Sequence, residues 1–166
     1  LNDSANDPVM NRIRAQKLRN SEEDKVKIFF VPSYLNGDDG VFNMPYYDLL
    51  VGMDLTAFPS YYEPWGYTPL ESLAFKVPTI TTTLAGFGLW VKEHYNMNHP
   101  GIEVIHREDG DASNVATAIA EWVKNYTQVG ETEMQKDRDN AKDVSRIALW
   151  DNLINYYKQA YTIALN

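Results

Sequence analysis

The sequence contains no cysteine, which excludes disulfide bonds and thiolate metal sites and is typical of a reducing compartment. No apolar run approaches the roughly 20 residues of a membrane span, and the start lacks the pattern of a signal peptide. We therefore expect a cytoplasmic protein that has no membrane partner. Histidine is scarce as well, and the three that occur form no metal-binding pattern, so no metal is expected.

The sequence also contains few basic residues. Lysine and arginine together number 15 against 23 acidic residues, which gives a net charge of −8, and no dense basic run occurs. A nucleic-acid-binding surface carries a basic footprint, so we expect no nucleic-acid partner. Any anionic ligand must then be held by a few local groups. The chain has 166 residues, of which 44% are apolar, which is enough for a single domain with a sizeable core.

Short apolar runs alternate with segments of helical periodicity along the chain. The runs that predict strands are residues 26–31, the region near Leu55, 77–82 and 101–105. The segments that predict helices are residues 9–18, 45–51, 68–75, 89–95, 113–126 and a long C-terminal helical segment within 132–166. Such alternation predicts an α/β fold with a Rossmann-like parallel sheet flanked by helices. In the helix at 113–126, we expect the apolar face to comprise Val115, Ile119, Trp122 and Val123.

Two carboxylates lie eight positions apart around a predicted strand-to-helix turn, in the sequence FPSYYEPWGYTPLE at residues 58–71. Thr68 and Pro69 predict a helix start, with Thr68 as the N-cap and Glu71 at the capping-box position. A helix N-terminus favours a bound phosphate or carboxylate. No cap explains Glu63, which therefore becomes a candidate for chemistry.

This stretch closely resembles the donor-binding motif of animal and fungal glycogen synthases. The similarity continues through KVPTITTTLAGFG at residues 76–88 and extends to Asn6-Asp7-Pro8-Val9 and Tyr156-Tyr157. Two glutamates at this spacing are common, whereas YYEPWGYTP followed by a Gly-Phe-Gly loop is specific. The resemblance implies the C-terminal half of a GT-B fold. It makes residues 1–166 a single nucleotide-sugar-binding domain and places the N-terminal acceptor-side domain outside this chain.

The resemblance also implies an activity, namely the transfer of glucose from UDP-glucose to the non-reducing end of an α-1,4-glucan with retention of configuration. The implied partners are UDP-glucose, glycogen and the enzyme's own N-terminal domain, no cofactor is expected, and homo-oligomerisation is left open. The chain alone is expected to be inactive, because the acceptor groove lies in the other domain. The alternatives are another GT-B transferase with a different nucleotide sugar or acceptor, and a non-catalytic nucleotide-sugar-binding module.

One residue is implied to be catalytic. Glu63 would face the donor glucose, where its charge stabilises the positive charge that builds on the ring in the transition state. The residues implied to bind the donor are Tyr46 (uracil), Trp65 (sugar pocket), Gly66, Tyr67 and Thr68 (diphosphate), and Glu71 (ribose hydroxyls).

Four of these roles compete with a structural one. Tyr46 also fits a core tyrosine of a short helix, Trp65 fits a buried filler, and Glu71 fits a helix cap. Glu63 competes with a structural loop acid. Gly86-Phe87-Gly88 lacks the spacing of a dinucleotide fingerprint, so we expect it to be a loop that forms the cleft floor.

Overall fold

The computed structural model describes residues 3–95 and 101–165, which divide into two compact units, Leu1–Leu49 and Leu50–Asn166. In the first unit, helix α1 (Pro8–Ala15) begins after Asp7, whose carboxylate accepts a hydrogen bond of 2.8 Å from the Met10 N–H. Helix α2 (Tyr46–Leu50) follows Pro45 and ends at the boundary with the second unit. Both helices were predicted from the sequence, and α1 is shorter than expected.

The strand predicted at residues 26–31 is wrong, since this segment has no regular structure. The side chain of Asn20 takes the place of a neighbouring strand at Ile28. It accepts a hydrogen bond from the Ile28 N–H at 2.9 Å and donates one to the Ile28 carbonyl at 2.7 Å. Val26 and Phe29 are exposed rather than buried. A short apolar run therefore does not become a strand when no ladder is available for its backbone.

The second unit contains a parallel sheet of three strands in the order β1-β2-β3. The strands are β1 (Thr56–Ala57), β2 (Thr79–Thr82) and β3 (Ile102–Ile105). The helices are α3 (Tyr67–Ala74), α4 (Gly86–His94), α5 (Ala112–Tyr126), α6 (Glu131–Ile147) and α7 (Trp150–Leu165). This alternation confirms the predicted α/β fold with a Rossmann-like parallel sheet.

Helices cover both faces of the sheet. One core cluster joins α3, α4, β3 and α6, and its members include Leu73, Phe87, Val91, Val104 and Val144. The other cluster joins Ile80, Ile105 and Val115, with Ile119 and Trp122 of α5 packed against it. Adjacent residues of a strand point to opposite faces, which is why Val104 and Ile105 belong to different clusters. The prediction that Val123 faces inward is wrong, because 37% of its surface is exposed.

The predicted C-terminal helical segment is present as two helices, with a break between α6 and α7. The Asn152 side chain donates a hydrogen bond of 3.0 Å to the Arg146 carbonyl, which lies at the end of α6. This bond adds a side-chain donor to a carbonyl at the end of the helix that also accepts a hydrogen bond of 3.3 Å from the Leu149 N–H. Helix α6 buries Ala141 and Val144, whereas α7 has no buried residue. Across residues 3–95 and 101–165, no helix combines the length and apolarity needed to cross a membrane.

Gly88 allows α4 to pack directly on the sheet, because a Cβ at this position would overlap the Thr82 carbonyl oxygen. Alanine is the better helix former by about 1 kcal/mol, but an overlap with rigid backbone costs about 2–3 kcal/mol, the upper part of the range for overpacking. We therefore expect Gly88→Ala to lower the free energy of unfolding by about 1–2 kcal/mol in a urea titration. Asn125→Ala, at an exposed position of α5, is the control for a change in helix propensity without an overlap. Equal stability of the two variants would contradict the packing described for α4.

Candidate active site

The segments that follow β1 and β2 meet at the carboxyl edge of the sheet. The Glu63 N–H donates to the Leu84 carbonyl at 3.1 Å, and the Gly86 N–H donates to the Glu63 carbonyl at 3.1 Å. These bonds form a parallel bridge between Glu63 and Ala85. The Phe87 N–H adds a bond of 2.6 Å to the Trp65 carbonyl. The backbone on both sides of Glu63 is therefore fixed by the start of α4.

The Gly-Phe-Gly sequence lies in the first turn of α4 and not in a loop, which corrects the expectation from the sequence. A Cβ at Gly86 would overlap the Pro64 carbonyl oxygen. Glycine at this position therefore permits the close approach of α4 to the segment that carries Glu63.

The Glu63 carboxylate is half-buried and lies close to the N-terminus of α3. The Ser60 hydroxyl donates a hydrogen bond of 3.0 Å to Glu63 Oε2. A Cβ built on Gly66 would lie 3.6 Å from the same oxygen, so the absence of a side chain keeps this space open. The φ angle of Gly66 is +112°, a conformation that favours glycine.

Helix α3 begins at Tyr67 with Gly66 as its N-cap, so the predicted N-cap at Thr68 is wrong. The left-handed conformation of Gly66 turns the chain into the helix two residues earlier than Thr68 predicts. Because its N-cap is a glycine, α3 receives no side-chain hydrogen bond from its capping residue. Pro69 is the third helical residue, and Glu71 is the fifth.

Glu71 is therefore two residues beyond the capping-box position, and its structural alternative is wrong. Within the described ranges, no hydrogen bond or ion pair involves its carboxylate. The side chain is half-buried. Tyr67 and Glu71 are four residues apart in α3 and share one face of the helix.

Trp65 and Tyr67 line a cavity of about 610 Å³ in the second unit. Leu70, Trp90 and four residues of α7 contribute to the same lining: Trp150, Leu153, Tyr156 and Tyr157. Trp65 also packs against the core, with its ring centroid 5.7 Å from that of Phe87. Trp65 is therefore packed against the core and also forms part of a cavity wall, while its role at the sugar pocket stays a prediction. The volume lies within the range of about 300–1,000 Å³ found for small-molecule sites.

Tyr46 belongs to the first compact unit, whereas the other six predicted site residues belong to the second. It is the first residue of α2 and is half-buried. Its ring centroid lies 5.2 Å from that of Tyr47, with the planes tilted by 57°. Its amide donates a hydrogen bond of 2.9 Å to the Leu35 carbonyl.

Two residues at the loop before Glu63 were missed from the sequence: Ser60, which belongs to the loop, and Arg107, which contacts it. Arg107 follows the end of β3, is only 8% exposed and donates a hydrogen bond of 2.6 Å to the Pro59 carbonyl. An arginine just after a buried strand, at the edge of the sheet where ligands bind, was the available signal. In the part of the chain that the structure describes, no group of three or more His, Asp or Glu residues is placed to hold a metal. His99 lies outside the described residues.

Comparisons with known proteins agree on one family. A family model described as "Glycogen synthase" matches residues 1–166. The chain is 35% identical to a "Glycogen [starch] synthase" of Caenorhabditis elegans, over 97% of this chain and 24% of that protein. It is 34% identical to the Neurospora crassa "Glycogen [starch] synthase" and 30% identical to the "Glycogen [starch] synthase, liver" of Mus musculus. Each of these two matches covers 99% of this chain and 23% of the relative. The chain thus spans about a quarter of the length of the curated relatives that it matches.

The position of Glu71 makes its contribution to stability testable. Glu71→Ala removes no described hydrogen bond and introduces the best helix former. We expect the free energy of unfolding to change by no more than about 0.5 kcal/mol. Thermal unfolding followed by circular dichroism checks this value. A loss of 1 kcal/mol or more would mean that the carboxylate caps α3 after all.

Proposed function

Because the chain belongs to the glycogen synthase family, we propose that it is the donor-binding part of a retaining glucosyltransferase. The enzyme transfers glucose from UDP-glucose to the non-reducing end of an α-1,4-glucan such as glycogen. The observation that carries this proposal is the position of Glu63, a carboxylate beside an uncapped helix N-terminus at the carboxyl edge of a parallel sheet. Ligands of open α/β sheets bind at this edge.

Glu63 is the catalytic residue in this proposal. Its backbone bonds to the Leu84 and Gly86 peptide groups fix its position, and the Ser60 hydroxyl orients its carboxylate. A glucosyl ring that loses its diphosphate develops positive charge, which a fixed carboxylate stabilises without having to reorganise. A preorganised charge of this kind acts more strongly in the transition state than in the ground state.

The N-terminus of α3 receives the diphosphate. Its N-cap, Gly66, has no side-chain oxygen that could accept hydrogen bonds from the N–H groups of the first turn. The backbone amides of Tyr67 and Thr68 suit a phosphate oxygen, and the missing side chain of Gly66 lets it approach. Helix N-termini carry a partial positive charge, which favours the anion locally in a chain of net charge −8.

In the second unit, one carboxylate is suited to hold the ribose of the nucleoside. Glu71 shares a face of α3 with Tyr67, so a ligand at the start of the helix extends toward its carboxylate, which then accepts hydrogen bonds from the ribose hydroxyls. For Tyr46 of the first unit, stacking on the uracil stays a prediction from the family resemblance, since an aromatic face suits a base whatever its hydrogen-bonding pattern. Trp65 borders the sugar pocket from the wall of the neighbouring cavity.

The acceptor side of the enzyme is proposed to lie in its own N-terminal domain. The chain matches only about a quarter of each relative, and its described residues present the donor-side elements above. The glucan therefore approaches Glu63 from a surface that another part of the polypeptide supplies.

The role of Glu63 predicts a selective loss of turnover. In the complete gene product, Glu63→Gln keeps an acceptor for the Ser60 hydroxyl but removes the charge. We expect kcat to fall by about 100-fold or more, with KM for UDP-glucose within about threefold of the wild-type value. Incorporation of labelled glucose into glycogen provides the measurement. Glu121→Gln, on the exposed surface of α5, is the matched control and should behave as wild type. Normal turnover of Glu63→Gln would remove this residue from the chemistry.

The role of Glu71 predicts a loss of donor affinity without a loss of stability. A hydrogen bond to a charged group contributes about 1.5–3 kcal/mol, so Glu71→Gln should weaken UDP binding by about 10- to 150-fold. Isothermal titration calorimetry of the complete gene product with UDP measures this effect, again with Glu121→Gln as control. Unchanged UDP affinity in a folded Glu71→Gln variant would exclude the ribose contact.

A further inference from the structure

We propose that Arg107 is a positioning residue that holds the Glu63 carboxylate in its productive orientation through Ser60. This inference rests on the proposed function, because it assigns Arg107 to the site at which Glu63 acts. Arg107 itself makes no described contact with Glu63, so any effect on the reaction must pass through the loop between them.

The backbone of Arg107 is anchored to the segment that follows β2. Its N–H donates a hydrogen bond of 2.9 Å to the Thr83 hydroxyl, which in turn lies 3.3 Å from the Arg107 carbonyl. Arg107 follows β3 by two residues and is 8% exposed. Its side chain therefore begins from a fixed point at the carboxyl edge of the sheet.

The guanidinium contacts three consecutive residues of the loop before Glu63. Nη1 donates to the Pro59 carbonyl at 2.6 Å and lies 3.4 Å from the Ser60 carbonyl. Cζ lies 4.1 Å from the centroid of the Tyr61 ring, which is a cation–π contact. The Thr82 hydroxyl also donates to the Ser60 carbonyl, at 2.9 Å. The backbone of Ser60 is thus held from β2 and from Arg107.

Ser60 passes this constraint to Glu63. Its hydroxyl donates the hydrogen bond of 3.0 Å to Glu63 Oε2. The orientation of the carboxylate therefore depends on the position of Ser60. The backbone of Glu63 is fixed separately, by its bonds to Leu84 and Gly86. Arg107 therefore acts on the orientation of the carboxylate and not on the path of the chain through Glu63.

The charge environment of Arg107 is better explained by a role in holding the loop at 59–61 than by a contribution to the stability of the fold. None of the ion pairs found within the described ranges includes Arg107, and its Nε is buried there without a hydrogen-bond partner. A buried cation compensated only by carbonyl dipoles and a ring is costly to the fold. A planar guanidinium, however, binds two carbonyls and an aromatic face at once, which a smaller donor does not.

The test compares Arg107→Ala with the wild type in the complete gene product, using UDP-glucose and glycogen. Without Arg107 the loop at 59–61 relaxes and the carboxylate is misplaced, and a displacement of about 1 Å near reacting atoms can lower a rate by about 100-fold. We expect kcat per folded molecule to fall by about 10- to 100-fold, with KM for UDP-glucose within about threefold. Arg107→Lys should restore part of the loss, since an ammonium still donates to the Pro59 carbonyl.

A double-mutant cycle separates action through Glu63 from an independent effect. If Arg107 acts through that carboxylate, adding Arg107→Ala to Glu63→Gln should lower kcat by no more than about twofold further. Ser60→Ala removes only the hydrogen bond between Ser60 and the Glu63 carboxylate, and it should also lower kcat. This variant keeps the test decisive if Arg107→Ala folds poorly. Val144→Ala, in the core of α6, is the control for lost stability and should keep kcat per folded molecule.

The outcomes distinguish this inference from the proposed function. Absence of glucose transfer by the wild-type gene product would overturn the proposed function and the role of Arg107 with it. An active wild type, together with Arg107→Ala and Ser60→Ala variants that turn over normally, would overturn the role of Arg107 alone. If the losses of kcat caused by Arg107→Ala and by Glu63→Gln multiply when the two changes are combined, the role of Arg107 is also overturned.

Discussion

Two backbone hydrogen bonds between Glu63 and the segment at 84–86 place the site in the fold. Peptide groups carry these bonds, so they fix the position of Glu63 relative to the sheet independently of side-chain packing. They require that α4 approach the Glu63 segment closely, which is possible because Gly86 has no Cβ to meet the Pro64 carbonyl. The carboxylate, the start of α3 and the start of α4 are therefore brought together by the same pairing.

This arrangement puts a negative group and a positive helix end next to each other. Glu63 Oε2 lies beside Gly66, and the uncapped N-terminus of α3 begins one residue later. A nucleotide-sugar donor has matching parts, since its diphosphate is an anion and its sugar ring becomes positive as the bond to the diphosphate breaks. The proposed reaction uses two features of this loop, namely the left-handed Gly66 and the half-buried carboxylate of Glu63.

The sequence predicted the parallel α/β fold and the motif at 58–71, because periodicity and a specific local pattern carry that information. It did not predict the start of α3, since the Thr68-Pro69 signal competes with the left-handed conformation of Gly66, which depends on the packing of α4. The strand predicted at 26–31 was wrong because strand formation requires a partner strand that local sequence does not reveal. Arg107 was missed because its contacts join residues nearly 50 positions apart, from Pro59 to Arg107.

The central claim is that UDP binds where Glu63 lies beside the start of α3. Hydrogen–deuterium exchange of the complete gene product, measured by mass spectrometry with and without saturating UDP, tests this claim most directly. The account predicts slower exchange in peptides that cover residues 63–71, because the amides of Tyr67 and Thr68 bind the diphosphate. Peptides of α5, on the other side of the sheet from α4, should be unchanged and provide an internal control. Slower exchange elsewhere in the protein, with residues 63–71 unaffected, would contradict the account.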